Sequence, residues 1–190
     1  MFRNILKYGV IAGLIVGGID FGIFVGLKDH PPEYGMLIGY ATMLVALSAV
    51  FVGIKQHRDQ ELGGVIRFWP ALGMGVAISF IAGIFYVVAW EASQAVTGGD
   101  FATTYANLVL EQARTKGESA AAIAKMSAEM AQFKINYAKP LWRFSMTFSE
   151  IFPVGVLVSL VSAALLRRPN FLPARRASLR ARGRVEARLK

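Results

Sequence analysis

The chain has 190 residues, of which 55% are hydrophobic and 17% charged, and it contains no cysteine; its mean hydropathy is +0.46. Soluble domains average roughly 45–50% apolar and about 25% charged residues, so this composition excludes a disordered chain and a disulfide scaffold and disfavours a soluble enzyme. Without cysteine, thiolate metal sites and cysteine nucleophiles are excluded as well. An integral membrane protein is the class that remains.

Four apolar segments are long enough to be membrane-spanning helices. They cover residues 9–27, 34–54, 68–90 and 141–166. At 1.5 Å per residue each reaches about 28 Å or more, close to the roughly 30 Å of a hydrocarbon core. Backbone groups inside lipid must be satisfied within the segment, so each is predicted to be an α-helix. The first is predicted to stay uncleaved, because Asp20 lies within it and no small-residue cleavage site follows.

The expected fold is therefore all-α, a polytopic protein with four transmembrane helices. Residues 1–168 form its membrane domain, and 169–190 form a basic tail whose removal is expected to leave that domain intact. With the N-terminus inside, the inner segments hold 14 Lys and Arg residues and the outer ones seven. This asymmetry predicts that both termini are cytoplasmic, which in a bacterium means a protein of the inner membrane.

The connection between spans three and four predicts a helical hairpin on the outer face, at about 100–139. Apolar and aromatic residues recur there at helical spacing, the pair Lys116-Gly117 interrupts the pattern, and Ser119 is placed to cap a second helix. On the other side, the stretch from Lys55 to Arg67 is expected to be a solvated loop that contacts lipid headgroups, with phosphate binding as the alternative.

The net charge of +9 belongs to the tail, because residues 167–190 hold nine basic residues and one acidic residue. Basic residues near an anionic membrane surface contribute about 1 kcal/mol each. The residues expected to contact anionic headgroups are Arg175, Arg176, Arg180, Arg182 and Arg184. No folded nucleic-acid-binding motif accompanies them, so no specific nucleic acid is predicted as a partner.

Four polar residues fall at similar depth in the predicted spans, one on each helix: Asp20, Tyr40, Tyr86 and Glu150. A charge at the bilayer centre costs about 2.5–3.5 kcal/mol, so neither acid should face lipid, and two facing carboxyls can share a proton. Two interpretations stay open, a proton, cation or amine site and a structural hydrogen-bonded cluster that fixes helix register. Pro153 is expected to kink the fourth span close to Glu150.

Glycines recur every four residues in the first two spans, in three runs: Gly9, Gly13 and Gly17; Gly18, Gly22 and Gly26; Gly35 and Gly39. Small residues at this spacing let helices approach closely. The pattern predicts helix packing within the chain or, alternatively, a homodimer through the first helix.

Several motifs are spaced along the chain: Gly35-Met-Leu-Ile-Gly39-Tyr40, Gly53-Ile-Lys-Gln-His-Arg-Asp59, Gly63-Gly64, the alanine-rich segment 121–131 and Glu150-Ile-Phe-Pro153-Val-Gly155. Together they resemble a bacterial membrane family known as domain of unknown function 4199. The resemblance covers about residues 1–168 and implies a small four-helix membrane protein. It implies no activity, and the tail beyond Arg168 looks like an extension of the family pattern.

Catalytic motifs are absent from the sequence: it contains no phosphate-binding loop, no nucleophile elbow and no metalloprotease motif. His30 and His57 fall on opposite sides of the predicted topology, so no metal site and no cofactor are expected. We therefore expect a structural or accessory membrane protein that acts through partners or lipid. A small proton- or cation-coupled transporter that uses the acid pair is the alternative, and a membrane enzyme is disfavoured.

Overall fold

The computed structural model describes residues 1–26, 34–98 and 100–174, and within them the chain is all-helical. Its helices are α1 (Phe2–Gly26), α2 (Gly35–Gln60), α3 (Phe68–Thr97), α4 (Phe101–Thr115), α5 (Ala120–Tyr137) and α6 (Pro140–Leu166). The helices α1, α2, α3 and α6 are each long and apolar enough to cross a membrane. The predicted all-α fold with four spans is confirmed, and α4 and α5 form the hairpin between the third and fourth spans.

The four long helices alternate in direction. Along the α1–α3 contact the numbers of the facing residues increase together, whereas along the α3–α6 contact one increases as the other decreases. Helix α1 is therefore parallel to α3 and antiparallel to α6. We call the end of the bundle at which α1 begins the Met1 end, and the opposite end, which carries α4 and α5, the hairpin end. Each span is longer than predicted, and α3 continues seven residues past Trp90.

Local signals fix the ends of the hairpin helices. The Asp100 side chain accepts a hydrogen bond from the Thr103 backbone N–H at 3.0 Å and caps α4. Ser119 accepts one from the Ala122 N–H at 3.2 Å and caps α5, as its position predicts. Gly117 between them has a φ of +73°, a left-handed conformation that glycine adopts without steric cost and that lets the chain reverse.

The first glycine run brings α1 against α3. A Cβ atom at Gly13 would lie 2.5 Å from the Cβ of Phe85, which is far inside van der Waals contact. The facing pairs are Gly9 with Ile81, Gly13 with Phe85 and Gly17 with Ala89. Three glycines on one helix thus accommodate three side chains four residues apart on the other, which is the close packing that such spacing permits.

Glycine and serine alternate across the α3–α6 contact. A Cβ at Gly75 would lie 2.7 Å from the Ser159 Oγ, and one at Gly155 would lie 2.5 Å from the Ser79 Cβ. Both serine hydroxyls donate to carbonyls four residues earlier in their own helices, at 3.0 and 2.7 Å. Two buried polar groups are therefore satisfied where the helices are closest.

The other glycine runs make no such contact. A Cβ at Gly18, Gly22, Gly26 or Gly39 would meet no atom within 4 Å, and Gly35 is exposed. Packing within the chain therefore accounts for the first run only. The homodimer stays a prediction for the open run on α1.

The buried core lies toward the Met1 end. In α1 no residue after Gly17 is buried, and in α2 no residue before Met43 is buried. The side chains of the first turns of α2 are exposed all around, among them Met36 at 80% and Leu37 at 68%. The hairpin-side half of the bundle is consequently more open than the Met1-side half.

The solvated loop predicted from Lys55 to Arg67 is wrong in its first part. Residues 55–60 belong to α2, and the Arg58 side chain is fully buried rather than solvated. Its guanidinium donates to the carbonyls of Phe171 at 2.9 Å and Leu172 at 2.5 Å, and more distantly to that of Leu166 at 3.4 Å. The Asp59 carboxylate accepts from its Nε at 2.7 Å. A cation at the C-terminus of α6 satisfies carbonyls that have no helical partner and complements the helix dipole.

The segment after α6 also packs on the bundle. The Phe171 ring lies edge-on to Phe51, with centroids 6.4 Å apart, and Ala174 is buried. The chain therefore stays packed on the bundle as far as Ala174, although the sequence predicts that the membrane domain ends at residue 168; that boundary stays a prediction. The arginines at 175–184, expected to contact headgroups, lie outside the described residues.

A methyl group added to α1 should separate the two kinds of glycine. We expect Gly13→Ala to lower the free energy of unfolding by about 1–3 kcal/mol, because the new Cβ overlaps Phe85. Gly22→Ala, the matched control on the same helix, should leave it unchanged or slightly higher. Unfolding by SDS in mixed micelles, followed by helical circular dichroism, measures both, and equal stabilities would contradict the packing.

Two truncations should separate the packed segment from the rest of the tail. Deleting 175–190 should leave the stability unchanged, because the chain keeps the Phe171 and Leu172 carbonyls that accept from Arg58 and the Phe171 ring that packs on Phe51. Deleting 169–190 should cost about 3 kcal/mol, because the buried Arg58 loses its Phe171 and Leu172 acceptors. Arg58→Gln should destabilise the chain that ends at residue 174, but it should have little further effect in the chain that ends at residue 168. If the effects of Arg58→Gln and of deleting 169–190 are fully additive, the hydrogen bonds from Arg58 to Phe171 and Leu172 do not stabilise the protein.

Candidate functional site

The structure brings three of the four predicted polar residues together. Tyr86 of α3 is buried, and its hydroxyl donates to the Glu150 Oε2 of α6 at 3.2 Å. Asp20 of α1 is half-buried and lies close enough to both for their charges to interact. We call Asp20, Tyr86 and Glu150 the acid cluster.

Tyr40 lies apart from this cluster. Its side chain is 49% exposed on the open first turns of α2, and no hydrogen bond joins it to the other three residues. The signal that selected it was depth along the helix, which does not tell which way a side chain faces.

The acid cluster contains a buried oxygen with no partner. Asp20 Oδ2 is inaccessible to solvent and forms no hydrogen bond within the described part of the chain. No ion pair reaches Asp20 or Glu150 there either, since the Lys and Arg ion pairs that the structure describes all involve other acids. An unpaired carboxylate charge in a low-dielectric layer is costly, and a bound proton or cation would offset that cost at Asp20.

Pro153 places an additional acceptor close to the cluster. The helix continues through it from Pro140 to Leu166. Because proline has no N–H, the Ser149 carbonyl lacks its usual helical donor. That carbonyl belongs to the residue before Glu150. The kink predicted at Pro153 stays a prediction.

A second polar group lies one turn beyond Tyr86, and it was missed from the sequence. Arg143 at the start of α6 holds Glu91 of α3 with two hydrogen bonds of 2.6 Å, and its third bond, of 3.2 Å, reaches the Tyr137 carbonyl. The sequence contained a signal for this pair, because Arg143 lies just inside the fourth predicted span and Glu91 just past the end of the third. A two-point bond of this kind fixes geometry as well as charge.

Aromatic side chains fasten the hairpin to the bundle around this ion pair. The Trp90 indole N–H donates to the Tyr137 hydroxyl at 2.7 Å, and the Trp90 ring lies 4.8 Å from Phe24 and 5.0 Å from Phe101. Burial raises the pKa of Tyr137 to about 12, so this phenol keeps its proton at neutral pH. Through these aromatic side chains α1, α3, α4 and α5 are in contact at one level of the bundle.

These features define a class of protein, a polytopic α-helical membrane protein with acids inside its spans and a helical hairpin at one end. Residues 7–168 match the family described as "Protein of unknown function (DUF4199)", and the chain belongs to that family. The match confirms the resemblance found in the sequence motifs. No curated protein and no solved structure matches the chain.

Proposed function

We propose that this membrane protein takes up and releases a proton, or exchanges it for a monovalent cation, at the acid cluster. The observation that carries this is the buried, unpartnered Asp20 Oδ2 beside the Tyr86–Glu150 hydrogen bond. Two carboxyls and a phenol that face one another can share protons, and their occupancy then depends on pH.

The alternative explanation of the cluster, that it fixes helix register, has less support. The glycine and serine contacts between α3 and α6 already fix the register of these helices, and both serine hydroxyls there are hydrogen-bonded. Structural polar clusters are usually satisfied throughout. In the acid cluster one carboxylate oxygen has no described partner, and Glu150 is exposed at the open half of the bundle.

Topology and the tail complete this proposal. The Lys and Arg distribution supports cytoplasmic termini in a bacterial inner membrane, so the acid cluster would exchange with the outer side, to which the bundle is more open. The basic residues of 175–190 would hold the tail against anionic lipid on the inner side.

An accessory role is the second candidate, and the hairpin favours it. Tyr105, Leu108 and Ile135 expose 41%, 50% and 58% of their surface outside the spans. Apolar side chains on a projecting helical pair suit a protein partner. An accessory protein would need no proton exchange at the acid cluster.

Infrared difference spectroscopy tests the proton site directly. In the purified protein in lipid, we expect a protonated carboxyl band that disappears as the pH is raised across about pH 5–9. Asp20→Asn and Glu150→Gln preserve shape and should each remove or shift this band while the helices remain folded. At fixed pH, loss of the band on adding Na⁺ would identify cation exchange.

The matched control is Glu118→Gln, which removes an exposed acid from the hairpin turn and should leave the band unchanged. Both acids ionised over the whole range, with no effect of Na⁺, would contradict the proposal and leave the accessory role.

Reporter fusions test the proposed topology. A fusion near Gly117 should report an external position, and fusions after Gln60 and Arg182 should report cytoplasmic ones, because basic residues concentrate on that side. The Gln60 fusion serves as the internal reference. A cytoplasmic signal at Gly117 would reverse the orientation and place the acid cluster toward the inner side.

A further inference from the structure

A cavity of about 550 Å³ lies at the hairpin end, apart from the acid cluster. It is bounded by the last turns of α3, the first of α4, the last of α5 and the first of α6. Its volume falls in the range of pockets that hold small ligands, about 300–1,000 Å³. The cavity lies next to the ion pair and the aromatic residues that hold the hairpin in place.

The acidic groups of this cavity are already engaged. Both oxygens of Glu91 accept from Arg143, so this pair is neutral. Asp100 is the N-cap of α4, and the hydrogen bond from Thr103 holds the pKa of its carboxyl below the ordinary value. The positive charge of nearby Lys134 acts in the same direction. Glu91 therefore has no unpaired charge for a cation, and the Asp100 carboxylate is opposed by the charge of Lys134 in the same cavity.

The donors of the cavity, in contrast, are underused. Gln94 Nε2 is buried and has no hydrogen-bond acceptor among the described residues. Tyr137 accepts from Trp90, but no described residue accepts its own hydroxyl hydrogen. Lys134 is exposed and forms no ion pair within the described chain. Three groups that can donate, one of them cationic, therefore line one cavity, and a buried unsatisfied donor is costly unless a ligand supplies the acceptor.

We propose that this cavity binds the anionic group, carboxylate or phosphate, of a small ligand, with Lys134, Gln94 and the Tyr137 hydroxyl as its donors. Lys134 provides the charge, and the amide and phenol provide direction. The Phe101 ring, 5.5 Å from that of Tyr137, gives the cavity an aromatic wall for an apolar portion of the ligand. The proposal does not depend on proton exchange at the acid cluster.

Two sources of such an anion exist, a soluble compound and a lipid headgroup, and the experiment separates them. The full-length protein is placed in nanodiscs of phosphatidylcholine and titrated with succinate and with inorganic phosphate. Tryptophan fluorescence is recorded, to which Trp90 contributes through its hydrogen bond to the cavity residue Tyr137; Trp69→Phe and Trp142→Phe remove the other two tryptophans. In parallel, phosphatidylglycerol replaces part of the phosphatidylcholine. A saturable change with the soluble anions identifies a soluble ligand, and a change seen only with phosphatidylglycerol identifies a headgroup.

Three variants test the assignment of the donors. Lys134→Gln should weaken binding about tenfold, the effect of losing one charge-assisted hydrogen bond. Gln94→Glu, nearly the same in shape, should weaken it at least as much, because it places a negative charge against the anion. Lys125→Gln, the matched control, removes an equally cationic side chain from the same helix away from the cavity and should leave the affinity unchanged.

The proposal would be overturned by no response to either source, by equal affinities of the wild type and Lys134→Gln, or by tighter binding in Gln94→Glu. Tighter binding of an anion after a negative charge is added at position 94 would mean that the anion binds outside this cavity. Because none of these variants changes Asp20, Tyr86 or Glu150, their outcomes are distinguishable from those of the infrared test of the acid cluster.

Discussion

Close contact between helix backbones is the constraint on which the rest of this structure depends. Lipid is as apolar as a leucine side chain, so membrane helices gain little from hydrophobic burial against one another and rely on tight packing instead. Here α3 is the central helix, since it receives the glycines of α1 on one side and exchanges glycine and serine contacts with α6 on another. At each contact a side chain of the neighbouring helix occupies the space that a Cβ atom on the glycine would fill.

This packing divides the bundle into two halves with different properties. Toward the Met1 end, small residues and the buried Arg58 hold the helix ends in fixed positions. Toward the hairpin end, α2 contributes no buried residue before Met43, and aromatic contacts with α4 and α5 hold α1 and α3 instead. Three buried polar atoms make no hydrogen bond among the described residues. Two of them, Asp20 Oδ2 and Gln94 Nε2, lie on this second, looser side, whereas His57 Nδ1 lies at the Met1 end, 3.0 Å from the Glu61 carboxylate.

The spans, their number and the hairpin could be predicted from sequence because they depend on apolar length and helix signals, which are local. The capping by Ser119 is of the same kind. What a side chain faces is not local, and this explains the differences. Tyr40 has the right depth and faces outward, and Gly22 has the same spacing as Gly13 but meets nothing. From the sequence Arg58 is expected to be a solvated cation. Its acceptors are backbone carbonyls more than 100 residues away, and because every residue has a carbonyl, residue types do not identify them.

Tyr137 lies between the acid cluster and the cavity at the hairpin end, and it would couple the two proposed sites if both bind their ligands. Tyr137 lines the cavity, receives the Trp90 hydrogen bond and lies within electrostatic range of Glu150. An anion bound beside Tyr137 would therefore disfavour a second negative charge on the acids and favour their protonated form. By linkage, protonation of the acids would tighten binding of the anion by the same factor. An anion in the cavity and a proton in the cluster would thus accompany each other, which is the thermodynamic requirement for coupling two ligands within one small membrane domain.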